Sequence, residues 1–270
     1  MRIGNREFNI GKKTYIMGIL NVTPDSFSDG GRFDNLKSAL RQTEKMINEG
    51  ADIIDVGGES TRPGYTIITE KEEISRVIPV IENIKKNFDI PVSVDTYKSN
   101  VAKAALEAGA DIINDIWGFK RDEKIAAVTQ KFDAACCLMH NRDNTKYVNF
   151  MEEVLSDLKE SIKIALDAGI PRDKIIVDPG VGFGKTYENN IEIINKVEKL
   201  RDLGFPVLLA ASRKSVVGIT LDLPVDERIE GTLATTVFGV IKGCSFVRVH
   251  DVKENKRIIT MTEKLLGKAD

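Results

Sequence analysis

"EGADIIDVGG" at residues 49–58 and "AGADIINDIWG" at 108–118 are one device used twice. In each, a helical pattern stops at a glycine and an isoleucine-rich run begins with almost no gap. Glycine closes a helix in a left-handed conformation, and a parallel strand covered on both faces reads as a continuous apolar run, so each stretch is a helix end feeding a buried strand. Related junctions recur at "AGIPRDKIIVDPG" (168–180), "LGFPVLLAAS" (203–212) and "KGCSFVRVH" (242–250). The apolar runs in order are IMGIL, DIIDV, PVSVD, DIIND, AACCLMH, KIIVD, PVLLAA and SFVRVH, with amphipathic stretches such as "KEEISRVIPVIENIKKNF" and "FMEEVLSDLKESIKIALDAG" between them. Strict alternation specifies an all-parallel α/β sheet, and eight right-handed crossovers close it into a (β/α)8 TIM barrel. The chain then reads as a single domain over 1–270, with "RIGNREFNIG" (2–11) as a short N-terminal hairpin capping the barrel's bottom. An open, doubly wound sheet is the alternative.

Composition narrows the function. Hydrophobic residues at 42% and charged residues at 30% are ordinary for a globular protein, and a net charge of -2 gives no electrostatic case for nucleic acid or an anionic membrane. Any anion site must therefore be local. The three cysteines, adjacent at Cys136 and Cys137 and distant at Cys244, form neither a disulfide framework nor a zinc spacing, which favours a reducing cytoplasm. The N-terminus lacks an apolar core of signal-peptide length, and no stretch reaches the ~20 apolar residues of a membrane helix.

In a barrel of this kind active sites form at the C-terminal ends of the strands. Those ends carry Asn21, then Ser60, Thr61 and Arg62, then Asp95, then Asn114 and Asp115, then His140, Asp178, Ser212 with Arg213 and Lys214, and finally Arg248 and His250. Helix capping accounts for some of them, most readily Asp115, Ser60 and Asp251. Asp95, Asn114 and Asp178 together suit a flat heterocycle whose edge presents amino and ring N–H donors beside a carbonyl. Arg62, Arg213, Lys214, Arg248 and His250 bring positive charge to the same rim. The expected ligand is both heteroaromatic and anionic.

Other motifs dissolve on inspection. "PGVGFGKT" (179–186) has Pro179 where a Walker loop needs its first glycine, and its glycines miss the dinucleotide fingerprint. It reads as a tight loop that lets Phe183 lie beside a ligand. His140 and His250 stand on different strands, so a zinc pair is not expected, and His140 reads as a histidine satisfied behind the site. The vicinal cysteines read as barrel core, and Trp117 as packing.

The stretch "NVTPDSFSDGG" (21–31) is a long polar loop launched from a buried strand, a combination that belongs to functional segments. Together with "GGESTRPG" (57–64), "VDTYK" (94–98), "IND" (113–115), "DPGVGFGK" (178–185), "SRKS" (212–215) and "RVHDV" (248–252), it resembles the dihydropteroate synthase family of the folate pathway, in order and over nearly the whole chain. That resemblance implies an enzyme joining (7,8-dihydropterin-6-yl)methyl diphosphate to p-aminobenzoate, with Mg2+ as cofactor and a homodimeric assembly. It implies that Asp95, Asn114, Asp178 and Lys214 hold the pterin, walled by Met139 and Phe183. Thr61, Arg62, Arg248 and His250 would take the diphosphate, Phe27, Ser212 and Arg213 the p-aminobenzoate, and Asn21 the magnesium. Asp95, Lys214 and Arg248 would carry the chemistry, and the 21–31 loop would be a lid closing over bound diphosphate. Two rivals are a pterin-binding methyltetrahydrofolate methyltransferase domain, against which the 21–31 loop, "STRPG" and "RVH" argue, and a non-catalytic pterin-binding relative.

Overall fold

The computed structural model describes residues 1–23, 32–59 and 67–268. Two short strands, β1 (Arg2–Ile3) and β2 (Arg6–Glu7), pair antiparallel as the expected hairpin. The remaining strands are β3 (Tyr15–Asn21), β4 (Ile53–Gly57), β5 (Val92–Asp95), β6 (Ile112–Asp115), β7 (Ala135–Met139), β8 (Ile175–Asp178), β9 (Leu208–Leu209) and β10 (Phe246–Val249), one for each apolar run. They form an eight-stranded sheet in the order β8-β7-β6-β5-β4-β3-β10-β9, every pair parallel. The two ends meet: Val177 bridges Val207 in parallel, and Val177 N–H donates to Pro206 O at 3.0 Å. The sheet is thus a closed barrel, and the open-sheet alternative falls.

Helices α1 (Arg32–Glu49), α2 (Glu70–Asn87), α3 (Ser99–Glu107), α4 (Ile125–Lys131), α5 (Phe150–Asp167) and α6 (Tyr187–Asn195) each follow one strand, and α9 (Val252–Leu265) follows the last. Between β9 and β10 the crossover carries two, α7 (Ser215–Leu221) and α8 (Ile229–Ile241).

Because strand side chains alternate, each barrel strand divides into two sets. The outward set, including Ile54, Val56, Val92, Val94, Leu138 and Val247, packs with the apolar sides of the helices. The inward set begins at the bottom with Tyr15, Met17, Ile53, Ile112, Cys137, Ile176, Leu208 and Phe246, and the hairpin's Ile3 and Phe8 complete that cluster. The Phe8 ring lies 4.7 Å from Tyr15 and 5.8 Å from Phe246, so the hairpin plugs the barrel floor. The vicinal cysteines are buried as expected, Cys136 among the outward set and Cys137 in the lumen.

The repeated Gly-Ala-Asp has a physical reason. Gly50 and Gly109 take φ of 103° and 104°, a conformation that lets the helix stop and the chain turn at once. The aspartate two residues on then clasps the neighbouring strand: Asp52 Oδ2 accepts from Ile16 N–H at 2.8 Å, and Asp111 Oδ2 accepts from Val92 N–H at 2.8 Å and from Lys85 Nζ at 2.9 Å. Asp111→Ala strands the buried Val92 N–H, a cost of about 1–3 kcal/mol. Its thermal midpoint is expected to fall by several degrees while ligand affinity at the other end of the barrel is unchanged; calorimetry of the variant showing no fall would contradict the clasp.

Candidate active site

Above the apolar floor, the same inward parity turns polar. In β4 the residue two positions after Ile53 is Asp55; β5 presents Ser93 and then Asp95, β6 Asn114, β8 Asp178 and β10 Arg248. Register brings several of these side by side, with Asp95 opposite Asn114, Gly57 opposite Asp95, and Met139 opposite Asp178.

Arg248 is the hub. Its Nε donates to Asp55 Oδ2 at 2.6 Å and its Nη2 to Asp95 Oδ2 at 2.7 Å. A guanidinium clamped along both edges is fixed in orientation as well as place. Asn114 Nδ2 also donates to Asp55 Oδ2, at 3.3 Å, while Asp55 Oδ1 is buried with no hydrogen-bond partner among the described residues. Burial raises the pKa of Asp95 above the ordinary carboxylate range, with Arg248 opposing and the Asp55 charge adding to the rise. Burial likewise disfavours the Arg248 charge, but Asp55 and Asp95 outweigh it and the guanidinium stays charged.

Asp178 stands at the other side of the mouth. Burial raises its pKa, opposed by Lys214, by the Gly180 N–H that donates to its Oδ1 at 2.7 Å, by Arg248 and by Lys185. Lys214, at the start of α7, is pushed down to about 8 by burial, with Asp178 opposing. Its ammonium donates to Val181 O and lies 4.7 Å from the Phe183 ring centroid, a cation–π contact that ties β9's end to the loop after β8.

That loop is why "PGVGFGK" needs its glycines. A Cβ on Gly180 would stand 1.9 Å from His140 O, and one on Gly184 would stand 2.6 Å from Arg142 O. The loop lies flat on the strand β7 connection, with Gly182 N–H held by Asn190 Oδ1 at 2.6 Å. Phe183 thus stands near Lys214, and Met139 beside Asp178.

At the remaining strand ends, Ser212 Oγ accepts from His250 N–H at 3.2 Å and lies 3.0 Å from His250 Nδ1. Arg213, with φ 57°, directs its side chain to Asp251 through two bonds, Nε to Oδ2 at 3.0 Å and Nη2 to Oδ1 at 2.5 Å. Asp115 accepts from the N–H groups of Trp117 and Phe119, so it and Asp251 do supporting work, as expected of them. Trp117 is half-buried, with the Arg121 guanidinium 4.5 Å from its ring centroid. Asn21 ends β3; a Cβ on Gly57 would stand 3.5 Å from its Oδ1 and 3.7 Å from Asp95 Cβ, so this glycine leaves the barrel mouth open between them. Thr61, Arg62 and Phe27, and the 24–31 part of the expected lid, lie outside the described residues. The chain flanking 60–66 is tied together: Lys98 Nζ bonds Glu59 at 2.6 Å, Glu73 at 2.7 Å and Ile68 O at 3.0 Å, and Glu59 Oε2 accepts from Ile68 N–H at 3.0 Å.

Asp55 and Lys185 are the polar residues that strand-end reading passed over. Asp55 sits mid-strand, but counting by twos from Ile53 puts it in the lumen; Lys185 was hidden in a motif that failed as a phosphate loop.

Comparison with known proteins agrees with this geometry. The family model for "Pterin binding enzyme" matches residues 17–250. A dihydropteroate synthase of Clostridium beijerinckii is 63% identical over 264 residues, covering 97% of this chain and 98% of that protein. The crystal structure of the Clostridium difficile dihydropteroate synthase in the presence of pteroic acid superposes with a TM-score of 0.94 at 52% identity, covering 96% of this chain and 99% of that one. The Xanthomonas albilineans dihydropteroate synthase with 4-aminobenzoic acid gives 0.91 at 37% identity, covering 95% and 94%. The chain belongs to the pterin-binding enzymes and, within them, to the dihydropteroate synthases.

Proposed function

We propose that this chain condenses (7,8-dihydropterin-6-yl)methyl diphosphate with p-aminobenzoate to give 7,8-dihydropteroate and diphosphate, using the charge cluster at the barrel mouth. The observation that carries the reading is the pairing of Asp55 and Asp95 with Arg248, in a buried site that also holds Asp178 and Lys214 and whose relatives carry pteroic acid and 4-aminobenzoic acid. The methyltransferase rival loses its ground to the relatives matched over nearly the full chain.

In this reading Asp178 and Asn114 meet the donor and acceptor edge of the pterin, Lys214 its carbonyl, and Phe183 and Met139 its faces. Arg248, oriented by Asp55 and Asp95, stacks on the ring and, with Thr61, Arg62 and His250, attracts the diphosphate. When the C–O bond to diphosphate breaks, positive character develops on the exocyclic methylene, and Asp95 stabilises it as fixed charge in a site that water leaves. The arylamine of p-aminobenzoate, set by Ser212, Arg213 and Phe27, then attacks the methylene, and no protein nucleophile is required. Arg213 reaches that substrate while held by Asp251, which fixes its fork.

Among the described residues no group of three or more His, Cys, Asp or Glu is arranged to hold a metal. A single amide oxygen at an open strand end suits an ion that keeps water and substrate oxygens in its shell, the habit of magnesium. Asn21 would hold Mg2+ together with the diphosphate, and the ion would offset charge on the leaving group. We further propose a homodimer through α8 and α9, where Ile241, Met261, Leu265 and Leu266 are exposed. A cytoplasmic setting accords with three buried free thiols. Among the described residues no helix is long and apolar enough to cross a membrane.

Incubation with both substrates and magnesium is expected to yield dihydropteroate, and no product would sink the reading. Asp178→Asn is expected to bind pterin tenfold or more weakly, since mispairing a charged hydrogen bond costs about 1–3 kcal/mol or more. Its midpoint should not fall: a carboxylate whose folded pKa is raised contributes stability only at low pH, lost as pH rises through that value, so nothing is forfeited at pH 7. Wild-type affinity in Asp178→Asn would contradict its assignment. Light scattering at micromolar concentration should report twice the chain mass; a monomer would remove the dimer.

A further inference from the structure

His140 is buried in a chain of side chains behind the pterin pocket. Its Nε2 lies 3.1 Å from Asp157 Oδ2 on α5, and its Nδ1 lies 2.8 Å from Lys185 Nζ. Asp157 is itself held by Arg142 Nε at 2.6 Å, and Arg142 Nη1 reaches Glu153 at 2.7 Å. An ammonium donates and does not accept, so Nδ1 is the acceptor and Nε2 carries the proton toward Asp157. The imidazole is therefore neutral, in keeping with a pKa pushed down to about 4 by burial. Lys185 Nζ also donates to Phe183 O at 3.0 Å, and a Cβ on Gly180 would come within 3.2 Å of it. Lys185 thus sits inside the 180–185 turn, holding its far end down onto β7.

Resting on the assignment of Asp178 to the pterin, we infer that Lys185 is a positioning residue for that pocket: held by His140 and the Phe183 carbonyl, its buried ammonium fixes the turn beside Asp178 and supplies that carboxylate with a further positive charge. The cations facing Asp178 are Lys214 from α7, Arg248 from β10 and Lys185 from the turn, and the buried Cys137 thiol beside it on β7 stays neutral. Lys185 in turn touches His140 and is faced by Asp157 and Arg142, besides Asp178 and Lys214. Burial pushes Lys185 down to about 7, with Asp178 opposing, so its ammonium is present on the acid side of neutrality. The charge matters because burial already raises the Asp178 pKa, and every cation removed raises it further.

The test is calorimetric titration of pterin from pH 5 to 9 with Lys185→Met and Lys185→Gln. Both variants are expected to bind about tenfold more weakly at pH 7, and in both the acid limb of binding moves to higher pH, because Asp178 gains its proton more readily. Lys185→Gln, which keeps donors for His140 and the Phe183 carbonyl, should recover part of the affinity without moving the limb back. In an Asp178→Asn background, which lacks that titration, Lys185→Met should leave the pH profile unchanged. An acid limb unmoved in the folded single variants overturns the inference, whatever the affinity. Failure of the underlying reading looks different, since Asp178→Asn would then bind pterin as the wild type does.

Discussion

The clamp of Arg248 by Asp55 and Asp95 is the interaction on which the barrel mouth depends. Two carboxylates cannot be buried side by side as anions without a cation between them, and a guanidinium cannot be buried without acceptors on its edges. Each member makes the others tenable, and the barrel brings them together: β4, β5 and β10 lie next to β3 or one strand beyond it. Such an arrangement is poor value as stabilisation, because apolar side chains of equal volume would commonly do as well. Its worth lies in electrostatics set in place before substrate arrives, which is the larger part of what a cationic transition state requires.

That division of labour runs along the barrel axis. At the N-terminal end, Phe8 of the hairpin, Tyr15 and Phe246 make a closed aromatic floor, and the Asp52 and Asp111 clasps pin the first residues of neighbouring strands. At the C-terminal end, the inward parity that is isoleucine and phenylalanine below becomes aspartate, asparagine and arginine above. Stability is concentrated where no chemistry occurs, and the charged side chains gather at the other end, where Arg213 takes φ 57°.

The fold was legible because its units repeat. Gly-Ala-Asp followed by isoleucines marks a helix stop and a strand start in adjacent positions, and eight apolar runs fix the strand count. Strand ends, being identifiable, exposed Asp95, Asn114, Asp178 and Arg248. Asp55 escaped because it lies within an apolar run, where only alternation from Ile53 distinguishes a lumen residue from a helix-facing one. Lys185 escaped for a different reason: its partners, His140 just after β7 and Phe183 in its own turn, are brought to it by the glycine loop's path over the end of β7, which spacing alone does not reveal. The pairing of Arg213 with Asp251 is likewise tertiary, linking residues 38 apart in sequence.

Arg248 is what allows two carboxylates to stand side by side in the lumen. That role is tested most directly by the thermal midpoint of Arg248→Met as a function of pH. Without the guanidinium, Asp55 and Asp95 are buried unpaired, a loss of about 3–5 kcal/mol when both are charged. A carboxylate with a raised folded pKa contributes stability that is lost as pH rises through that pKa, and removing Arg248 raises the Asp95 value further. In the wild type that value is already about 7, so the midpoint of Arg248→Met should fall away from that of the wild type between pH 7 and pH 9. Two curves running parallel across that range would contradict the account.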